Sequence, residues 1–342
     1  MSAPSQVPST LHLLLGPSAT PARGDRASVD ARSPLARMLG RGEARARAAG
    51  LARDHAAALA GFDAPVAWAS LWAQAHAVAS PAPGTPLARW LWLEPVRMQV
   101  GMNHVAMAPP ALVPDARMLT ALCAQLQPLF ADAGASLEVA GGRLLLALGT
   151  ALEVHCTPPE QAFDSALREQ LPAGRDAGML RRWMTECEMQ LHQAGEDPVW
   201  GASGINAVWP WGSGALPKLK APSLRVFSSD PLLQALDRLA TAGTAHASSS
   251  DAPGSTSLEA LLAADTPLPA SLVHHGSVDD AGLAGLLAAA DQALRRGRLA
   301  RLEIDCWPPQ GASPAVTAVS VRRSARWRWW RRPALPWTLP DA

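Results

Sequence analysis

The sequence of 342 residues contains no tyrosine, although it has 13 tryptophans and 4 phenylalanines. A tyrosine nucleophile, a tyrosine general acid and a tyrosyl radical are therefore excluded, and with them tyrosine-dependent dehydrogenases and tyrosine-type recombinases and topoisomerases. Lysine is nearly as scarce, since Lys218 and Lys220 are the only two. Neither occupies the GxxxxGK[ST] frame that cradles nucleotide phosphates, so the sequence predicts no P-loop.

Cysteine is also sparse, and the numbers of positive and negative side chains are nearly equal. The four cysteines form no CxxC pair, which favours reduced thiols in a reducing compartment over disulfides or a metal site. The formal net charge is +1. Global electrostatics therefore favours neither a nucleic acid nor an acidic partner, and only a local basic patch could bind one.

Long hydrophobic runs are missing. No stretch approaches the roughly 18 apolar residues that a membrane span requires. The first residues lack the basic segment and apolar core of a secretory signal. We therefore predict a cytoplasmic protein that does not enter a membrane, with a disordered tail at 1–10, a single α/β unit at 11–342 and a mobile loop at 244–257.

Hydrophobic patterns predict a mixed sheet flanked by helices, which is an α/β fold. Residues 11–15 (LHLLL) are typical of a short buried strand, and 136–148 predict a hairpin whose turn is Gly141-Gly142. The segments 114–130 and 179–192 have helical spacing of apolar residues. Ser33-Pro34 predicts a helix start that opens an Ala/Arg helical stretch, broken near Gly40, Gly42 and Gly50. Predicted strands are 89–100, interrupted at Pro95, then 151–156, 224–227 and 299–307. Further predicted helices open at Asp230-Pro231 and span 257–264 and 279–297.

The stretch INAVWPWGSGALPKLK (205–220) is the most unusual in the chain. An extended 205–211 places Trp209 and Trp211 on one face and Asn206 on the other, before a loop at 212–214. Backbone N–H groups of such a glycine loop can hold an anion, and both lysines follow within six residues. The alternative is a tight turn whose glycines let the chain pass close to packed tryptophans.

A second unusual segment, SVRRSARWRWWRR (320–332), has six arginines and no acid. Alternating apolar and polar residues at 319–329 predict a half-buried antiparallel strand with a basic outer face. Arg322, Arg326 and Arg328 on that face form a candidate surface for an anion or a partner. Binding of nucleic acid through arginine and tryptophan is a further alternative, which the balanced net charge disfavours.

Metal-binding patterns are weak. The nine histidines include no HExxH motif, and only His274-His275 stand close in sequence to carboxylates, those of Asp279 and Asp280. The sequence therefore predicts no metal site and no resident cofactor.

Four segments together resemble a bacterial family related to cofactor-independent phosphoglycerate mutase, some of whose members are Rpf-type regulatory proteins. They are RRWMTECEMQLH, INAVWPWGSGALP, SSDPLLQALDRLA and RRSARWRWWRRP, and LEPVRMQVGMNHVAM (93–107) is similar to the family's first block. The resemblance implies a reduced alkaline-phosphatase-like core. The implied signature and candidate anion-binding positions are Asn206, Trp209, Trp211, Gly212, Gly214, Pro217, Lys218 and Asp230.

The sequence also departs from the mutases of that family. Metal-dependent members carry an acidic residue just after the first strand, whereas here the first acidic residue after 11–15 is Asp25. In VDDAGL (278–283), Leu283 stands where a metal-binding histidine is expected. We therefore predict a regulatory, mutase-like protein without the metal-dependent phosphotransfer site, whose partner is a small phosphorylated metabolite or a protein. An active mutase using Mn²⁺ or Mg²⁺ is the alternative.

Overall fold

A computed structural model describes most of the chain. The residues described are 9–16, 32–48, 50–62, 65–78, 90–101, 105–149, 152–163, 167–194, 197–214, 224–242, 257–278, 280–308, 315–328 and 331–334. The predicted tail at 1–10 and loop at 244–257 fall almost entirely outside these ranges. None of the described helices is both long and apolar enough to cross a membrane.

The described residues form eleven strands and ten α-helices. The strands are β1 (Thr10–Gly16), β2 (Glu43–Ala48), β3 (Trp90–Val100), β4 (Val105–Ala108), β5 (Ser136–Ala140), β6 (Arg143–Ala147), β7 (Ala207–Trp211), β8 (Leu224–Ser228), β9 (Ser271–Ser277), β10 (Arg301–Cys306) and β11 (Ala315–Arg322). The helices are α1 (Pro34–Arg41), α2 (Ala52–Leu59), α3 (Trp68–Ala75), α4 (Ala116–Ala131), α5 (Pro159–Ala162), α6 (Leu167–Gln170), α7 (Ala177–Gln193), α8 (Pro231–Ala242), α9 (Leu258–Ala263) and α10 (Leu283–Arg296).

The chain divides into two compact units, where the sequence predicted a single one. The split unit comprises Met1–Ala64 and Leu219–Ala342, and the inserted unit comprises Pro65–Lys218. Each has a hydrophobic cluster of its own, so each buries apolar surface independently. Local periodicity cannot reveal this division, because it depends on which distant segments pair. Both units combine sheets with helices, so the predicted mixed α/β class is confirmed.

The split unit is built on a six-stranded sheet with the order β2-β11-β10-β1-β9-β8. The four strands β10, β1, β9 and β8 are parallel, while β11 and β2 are antiparallel to their neighbours. Leu14 of β1 lies in register with Asp305 of β10 on one side and with His275 of β9 on the other. The register therefore places these two polar residues near the carboxyl ends of the parallel strands.

The two faces of this sheet differ in polarity. One face, which includes Leu11, Leu13 and Ile304, is buried against α1, α9 and α10. On the opposite face, His12, Glu303 and Asp305 alternate with those apolar residues, and α2 lies near β1 and β9. Strand β1 confirms the prediction for 11–15, because its buried leucines supply the centre of the apolar core.

Helix α1 begins where the sequence predicts, but the Ala/Arg stretch after it is a strand. The Ser33 hydroxyl accepts a hydrogen bond from the Ala36 N–H at 3.1 Å, and Pro34 occupies the first turn. Residues 43–48 (EARARA) then pair antiparallel with β11. The prediction of a helix there was wrong, because pairing with a distant strand outweighs the helix propensity of alanine and arginine.

The inserted unit contains a five-stranded sheet in which β4, β3, β6 and β5 are successive neighbours and β7 pairs with β3. The β5–β6 hairpin confirms its prediction, since Gly141 and Gly142 have φ values of 58° and 76°. Helices α4 and α7 also confirm theirs, and Phe130 meets Trp183 edge to face at 5.4 Å between ring centroids. Strand β3 runs through Pro95 without interruption, contrary to prediction.

Two strand predictions were wrong in whole or in part. Residues 152–156 form no named strand and contribute only the single bridge between His155 and Ala173. The C-terminal strand ends at Arg322, and residues 323–328 form a 3-10 helix. The reason for the early end is register: Arg322 pairs with Arg301, which is the first residue of β10, so no partner backbone extends further. The predicted burial of Val319 and Val321 is confirmed.

Replacing a central core leucine tests the described packing of the split unit. Leu13 has no exposed surface, and we expect Leu13→Ala to lower the free energy of unfolding by about 2–5 kcal/mol because it leaves a cavity. Leu112→Ala, at a position that is 48% exposed, serves as the control and should change stability by about 0.5 kcal/mol or less. Urea unfolding measures both, and equal effects would contradict the assigned core.

Candidate functional site

Polar side chains gather near the carboxyl ends of the parallel strands in the split unit. Open α/β sheets usually bind ligands at this edge. Here it carries Asp305 from β10 and His275 from β9, on either side of β1. Helix α2 lies across the same face and contributes Arg53 and His55. We call these residues, with Arg47 of β2, the carboxyl-edge cluster.

Asp305 is the most deeply buried charge of the cluster, with 1% of its surface exposed. Its Oδ2 atom accepts from Arg47 Nη1 at 3.3 Å and lies 3.1 Å from His55 Nε2. Arg47 and His55 also touch each other, with 3.0 Å between Nη1 and Nδ1. A buried carboxylate needs such partners because desolvation strongly disfavours an isolated charge.

His12 shows the electrostatic consequence of this arrangement. Its pKa is lowered from 6.5 to about 4, mainly because burial disfavours the charged imidazolium. Asp305 acts in the opposite direction, while His55 and the guanidinium groups of Arg47 and Arg301 lower the pKa of His12 further. His12 is therefore neutral at physiological pH.

His275 of the cluster also contacts Ser228 on the neighbouring strand β8. Ser228 Oγ is 3.0 Å from His275 Nδ1 and also accepts the Asp230 N–H at 3.0 Å. Burial lowers the pKa of His275, with Asp230 opposing that effect and Arg53 adding to it. Arg53 is itself buried, with 8% of its surface exposed. A serine hydroxyl in contact with a neutral imidazole can act as a nucleophile, with the imidazole as its general base.

The structure gives Asp230 a defined local role at the start of α8. Its Oδ1 atom accepts the Leu232 N–H at 2.8 Å, and its carbonyl accepts the Gln234 N–H. The predicted helix start at Asp230-Pro231 is thereby confirmed. This capping contact explains the residue without a ligand.

The described residues do not fit the divalent metal that the mutase resemblance implies. Among them, no group of three or more His, Cys, Asp or Glu side chains is placed to hold a metal ion. The buried Asp305 carboxylate is already paired with Arg47. His274 and His275 are successive residues of β9 and so point to opposite faces of the sheet, which separates the pair singled out from the sequence.

The tryptophan signature belongs to the inserted unit, where it packs the sheet. Trp211 stacks on Trp92 with 4.8 Å between centroids and an interplanar angle of 9°. The Arg143 guanidinium lies 5.0 Å from the Trp92 centroid and pairs with Glu94 at 3.0 Å. Burial raises the pKa of Glu94, and Arg143 opposes that shift. Trp209 is fully buried and donates from Nε1 to the Thr157 carbonyl at 2.8 Å.

Asn206 joins two segments of the same unit. Its Oδ1 accepts the Met98 N–H at 2.7 Å, and its Nδ2 donates to the Met98 carbonyl at 3.0 Å. The amide thus pairs with both backbone groups of one residue in β3, just before β7 begins. This contact stabilises the register of β3 and β7.

Gly212 and Gly214 form contacts that fit the alternative interpretation, in which the glycines of a tight turn let the chain pass close to its neighbours. The Gly212 carbonyl accepts the Ala69 N–H, and the Gly214 carbonyl accepts the Ser70 hydroxyl, each at 3.0 Å. Gly212 has φ of 71°, and a Cβ atom there would come within 3.1 Å of the Ala69 nitrogen. A larger residue would therefore strain the turn and press on α3.

The sequence-predicted site residues fall in both units of the chain. Asn206 to Gly214 lie in the inserted unit, and Asp230 lies in the split unit. Arg322 ends β11, while Arg326 and Arg328 follow on the 3-10 helix with side chains outside the described set. Pro217 and Lys218 are also outside the described residues. The anion-binding role of these positions stays a prediction.

Sequence reasoning missed Arg47, Arg53, His55 and Asp305. They come from three segments of the chain, so no local spacing connects them. One signal was available, because Glu303 and Asp305 alternate with apolar residues in the predicted strand 299–307. Both carboxylates are buried, which indicates that the polar face of this strand is covered as well.

A distant structural similarity links the chain to a known enzyme. A cofactor-independent phosphoglycerate mutase from Thermoplasma acidophilum aligns over 92% of this chain and 90% of its own, with a TM-score of 0.43 and 13% sequence identity. Values this low do not carry residue roles from one protein to the other. No family model and no curated protein matches the chain.

Acid should destabilise the protein through His12. Its folded-state pKa of about 4 lies below the unfolded value of 6.5, so the unfolded state binds more protons between these values. Stability present above pH 6.5 is therefore lost as the pH falls toward 4, by on the order of 3 kcal/mol. His274 and His275 shift in the same direction.

The His12→Asn variant isolates this contribution. We expect its free energy of unfolding to fall less between pH 7 and pH 4 than that of the parent chain, as measured by urea unfolding at each pH. His192→Asn, at an exposed position of α7, is the control and should keep the full dependence. Identical pH dependence in His12→Asn and the parent would contradict the assignment.

Proposed function

We propose that this chain is a phosphoglycerate mutase-like regulatory protein of the cytoplasm that binds a small phosphorylated metabolite without metal-dependent phosphotransfer. The mutase-like part is supported by the residue patterns at 181–192, 205–217 and 228–240. The absence of phosphotransfer is supported by one observation above all, the pairing of the buried Asp305 carboxylate with Arg47 and His55.

That pairing opposes a divalent ion for an electrostatic reason. A two-metal phosphotransfer site needs carboxylates and histidines that are available as ligands. At the carboxyl edge, Arg47 already neutralises Asp305, and the positive charge of Arg53 acts on His275. A bound divalent cation would have to displace Arg47 and would repel both guanidinium groups. The same two guanidinium groups favour an anionic ligand.

A second candidate function is an active mutase, that is, an isomerase. The contact of Ser228 Oγ with His275 Nδ1 favours it, because a neutral imidazole can accept a proton from a hydroxyl nucleophile. Ser228 also accepts the Asp230 N–H, which is typical of a hydroxyl that stabilises the start of a helix. The two functions make opposite predictions for turnover.

An activity measurement separates them. We expect the purified chain with added Mn²⁺ to interconvert 2- and 3-phosphoglycerate no faster than buffer. Turnover at ordinary enzymic rates that is lost on chelation would overturn the proposal in favour of the active mutase. The Ser228→Ala variant then identifies the nucleophile, with His192→Asn as a control that should leave any turnover unchanged.

Ligand binding at the glycine loop is tested separately. We expect millimolar 3-phosphoglycerate to raise the melting temperature, since a ligand at 100 times its dissociation constant stabilises the folded state by about 2.7 kcal/mol. Lys218→Ala should remove the shift, whereas Arg117→Ala, which removes one exposed charge from α4, should retain it. An unchanged melting curve for the parent chain would count against this site.

A further inference from the structure

Strand β2 forms an open edge of the six-stranded sheet in the split unit. It comes last in the strand order, and its six residues pair with β11. The outer side of an edge strand presents unpaired N–H and C=O groups, which proteins usually cover or protect. In the described part of the chain, neither a strand nor a side chain bonds to the backbone of residues 44–47 on that side. Ala44, Arg45 and Ala46 are also exposed.

Two other edge strands are protected by a side chain from a neighbouring helix. Strand β8 lies at the other edge of the same sheet, and its Val226 N–H donates to Asp237 Oδ1 of α8 at 2.7 Å. Strand β5 lies at an edge of the sheet in the inserted unit, and its Leu137 N–H donates to Gln127 Oε1 of α4 at 2.6 Å. Among the described residues, no such contact reaches 44–47. The edge of β2 is therefore available to a further strand.

The arginines of β2 lie on the polar face of the sheet and keep exposed surface. Arg45 Nη2 lies 3.6 Å from Glu303 Oε2, and 58% of the Arg45 side chain is exposed. Arg47 Nη1 lies 3.3 Å from Asp305 Oδ2, and 37% of the Arg47 side chain is exposed. A guanidinium has five N–H donors, so these contacts leave donors for a second carboxylate. The polar side of this edge therefore suits the carboxylates of a neighbouring strand.

The opposite face of the same edge carries only small side chains. Ala44 and Ala46 alternate with the arginines and are exposed. Their methyl groups leave space for larger apolar side chains of a neighbouring strand, and this contact would bury apolar surface. The two faces together indicate a partner strand in which acidic and apolar residues alternate.

We propose that β2 binds an extended acidic segment of a protein partner, which adds to the sheet as a seventh strand. Backbone hydrogen bonds along the edge supply affinity, and alternate side chains supply specificity. Acidic residues of the segment face Arg45 and Arg47, while its apolar residues lie beside Ala44 and Ala46. The six residues of β2 span about 20 Å, a usual length for a strand in a globular protein.

A second copy of this chain is the other strand that could occupy the edge. Two copies of β2 would pair antiparallel about a two-fold axis, with opposite residues on the same face of the sheet. Pairing of 43–47 would place the two Arg45 side chains opposite each other, and pairing of 44–48 would place Arg45 opposite Arg47. Like charges directly opposite each other are destabilising. Charge therefore favours an acidic partner over self-association.

Fluorescence anisotropy with a labelled peptide tests the proposal on the full chain. The probe Gly-Ser-Glu-Val-Glu-Val-Ser-Gly places glutamates opposite both arginines and valines opposite both alanines when it pairs antiparallel with β2. We expect saturable binding that weakens as salt is added, because exposed charges are screened. A control peptide with lysine in place of both glutamates should bind at least about tenfold more weakly, since its charges are repelled.

Methylation of the peptide backbone distinguishes addition of a strand from simple attraction between charges. One modified probe carries methyl groups on its two glutamate nitrogens, and the other carries them on its two valine nitrogens. Only alternate residues of a strand donate to the neighbouring edge. We expect one modified probe to lose affinity at least about tenfold and the other to stay within about threefold of the parent probe. Equal affinities of the two modified probes would overturn the proposal.

Variants of Arg45 identify the edge that the peptide occupies. Arg45→Gln should weaken binding about fivefold or more because it removes charged hydrogen bonds, whereas Arg45→Lys keeps the charge and should stay within about threefold of the parent. Arg238→Gln removes an exposed charge of α8, which packs beside β8 at the opposite edge, and should leave the affinity unchanged. Unchanged affinity in Arg45→Gln, or an equal loss in Arg238→Gln, would overturn the assignment to β2.

Sedimentation of the full chain tests for the alternative occupant. We expect the probe to leave the oligomeric state unchanged. A dimer that the probe dissociates would show that a second copy occupies the edge and would overturn the proposal, as would the absence of saturable binding at millimolar probe. The site lies apart from the glycine loop and does not rest on the proposed function, so the outcome of the mutase assay leaves this result intact.

Discussion

Burial of the Asp305 carboxylate constrains much of the split unit. A charge in the middle of a sheet is tolerated only where cationic or hydrogen-bonding partners reach it. Its partners Arg47 and His55 come from β2 and α2, which follow the first strand, whereas β10 lies more than 200 residues later. Glu303 on the same strand has the same requirement and is paired with Arg301 and Ser320. Assembly of this face therefore joins the beginning and the end of the chain.

The inserted unit depends on aromatic packing. Trp92 and Trp211 stack across neighbouring strands, and Arg143 covers Trp92 while pairing with Glu94. These contacts place a partly exposed ion pair beside two buried indoles, and the cation lies over the ring of Trp92. The tryptophan signature thus has a structural role that needs no ligand.

The two units divide the chemical features of the chain. The inserted unit contains most signature positions, while the split unit contains the carboxyl-edge cluster. This cluster combines histidines with a buried carboxylate that is already paired with Arg47. The proposal that no metal is bound rests on that pairing.

The sequence by itself determined the elements whose stabilisation is local. Ser33 and Asp230 mark helix starts, Gly141-Gly142 forms a hairpin turn, and the leucines of 11–15 form a buried strand, because caps, turns and apolar runs act over a few residues. Only the tertiary structure decided that EARARA is a strand, since its partner β11 lies some 270 residues away. It also decided the two-unit division and the carboxyl-edge cluster, because pairing of distant strands and neutralisation of buried charge depend on which segments meet.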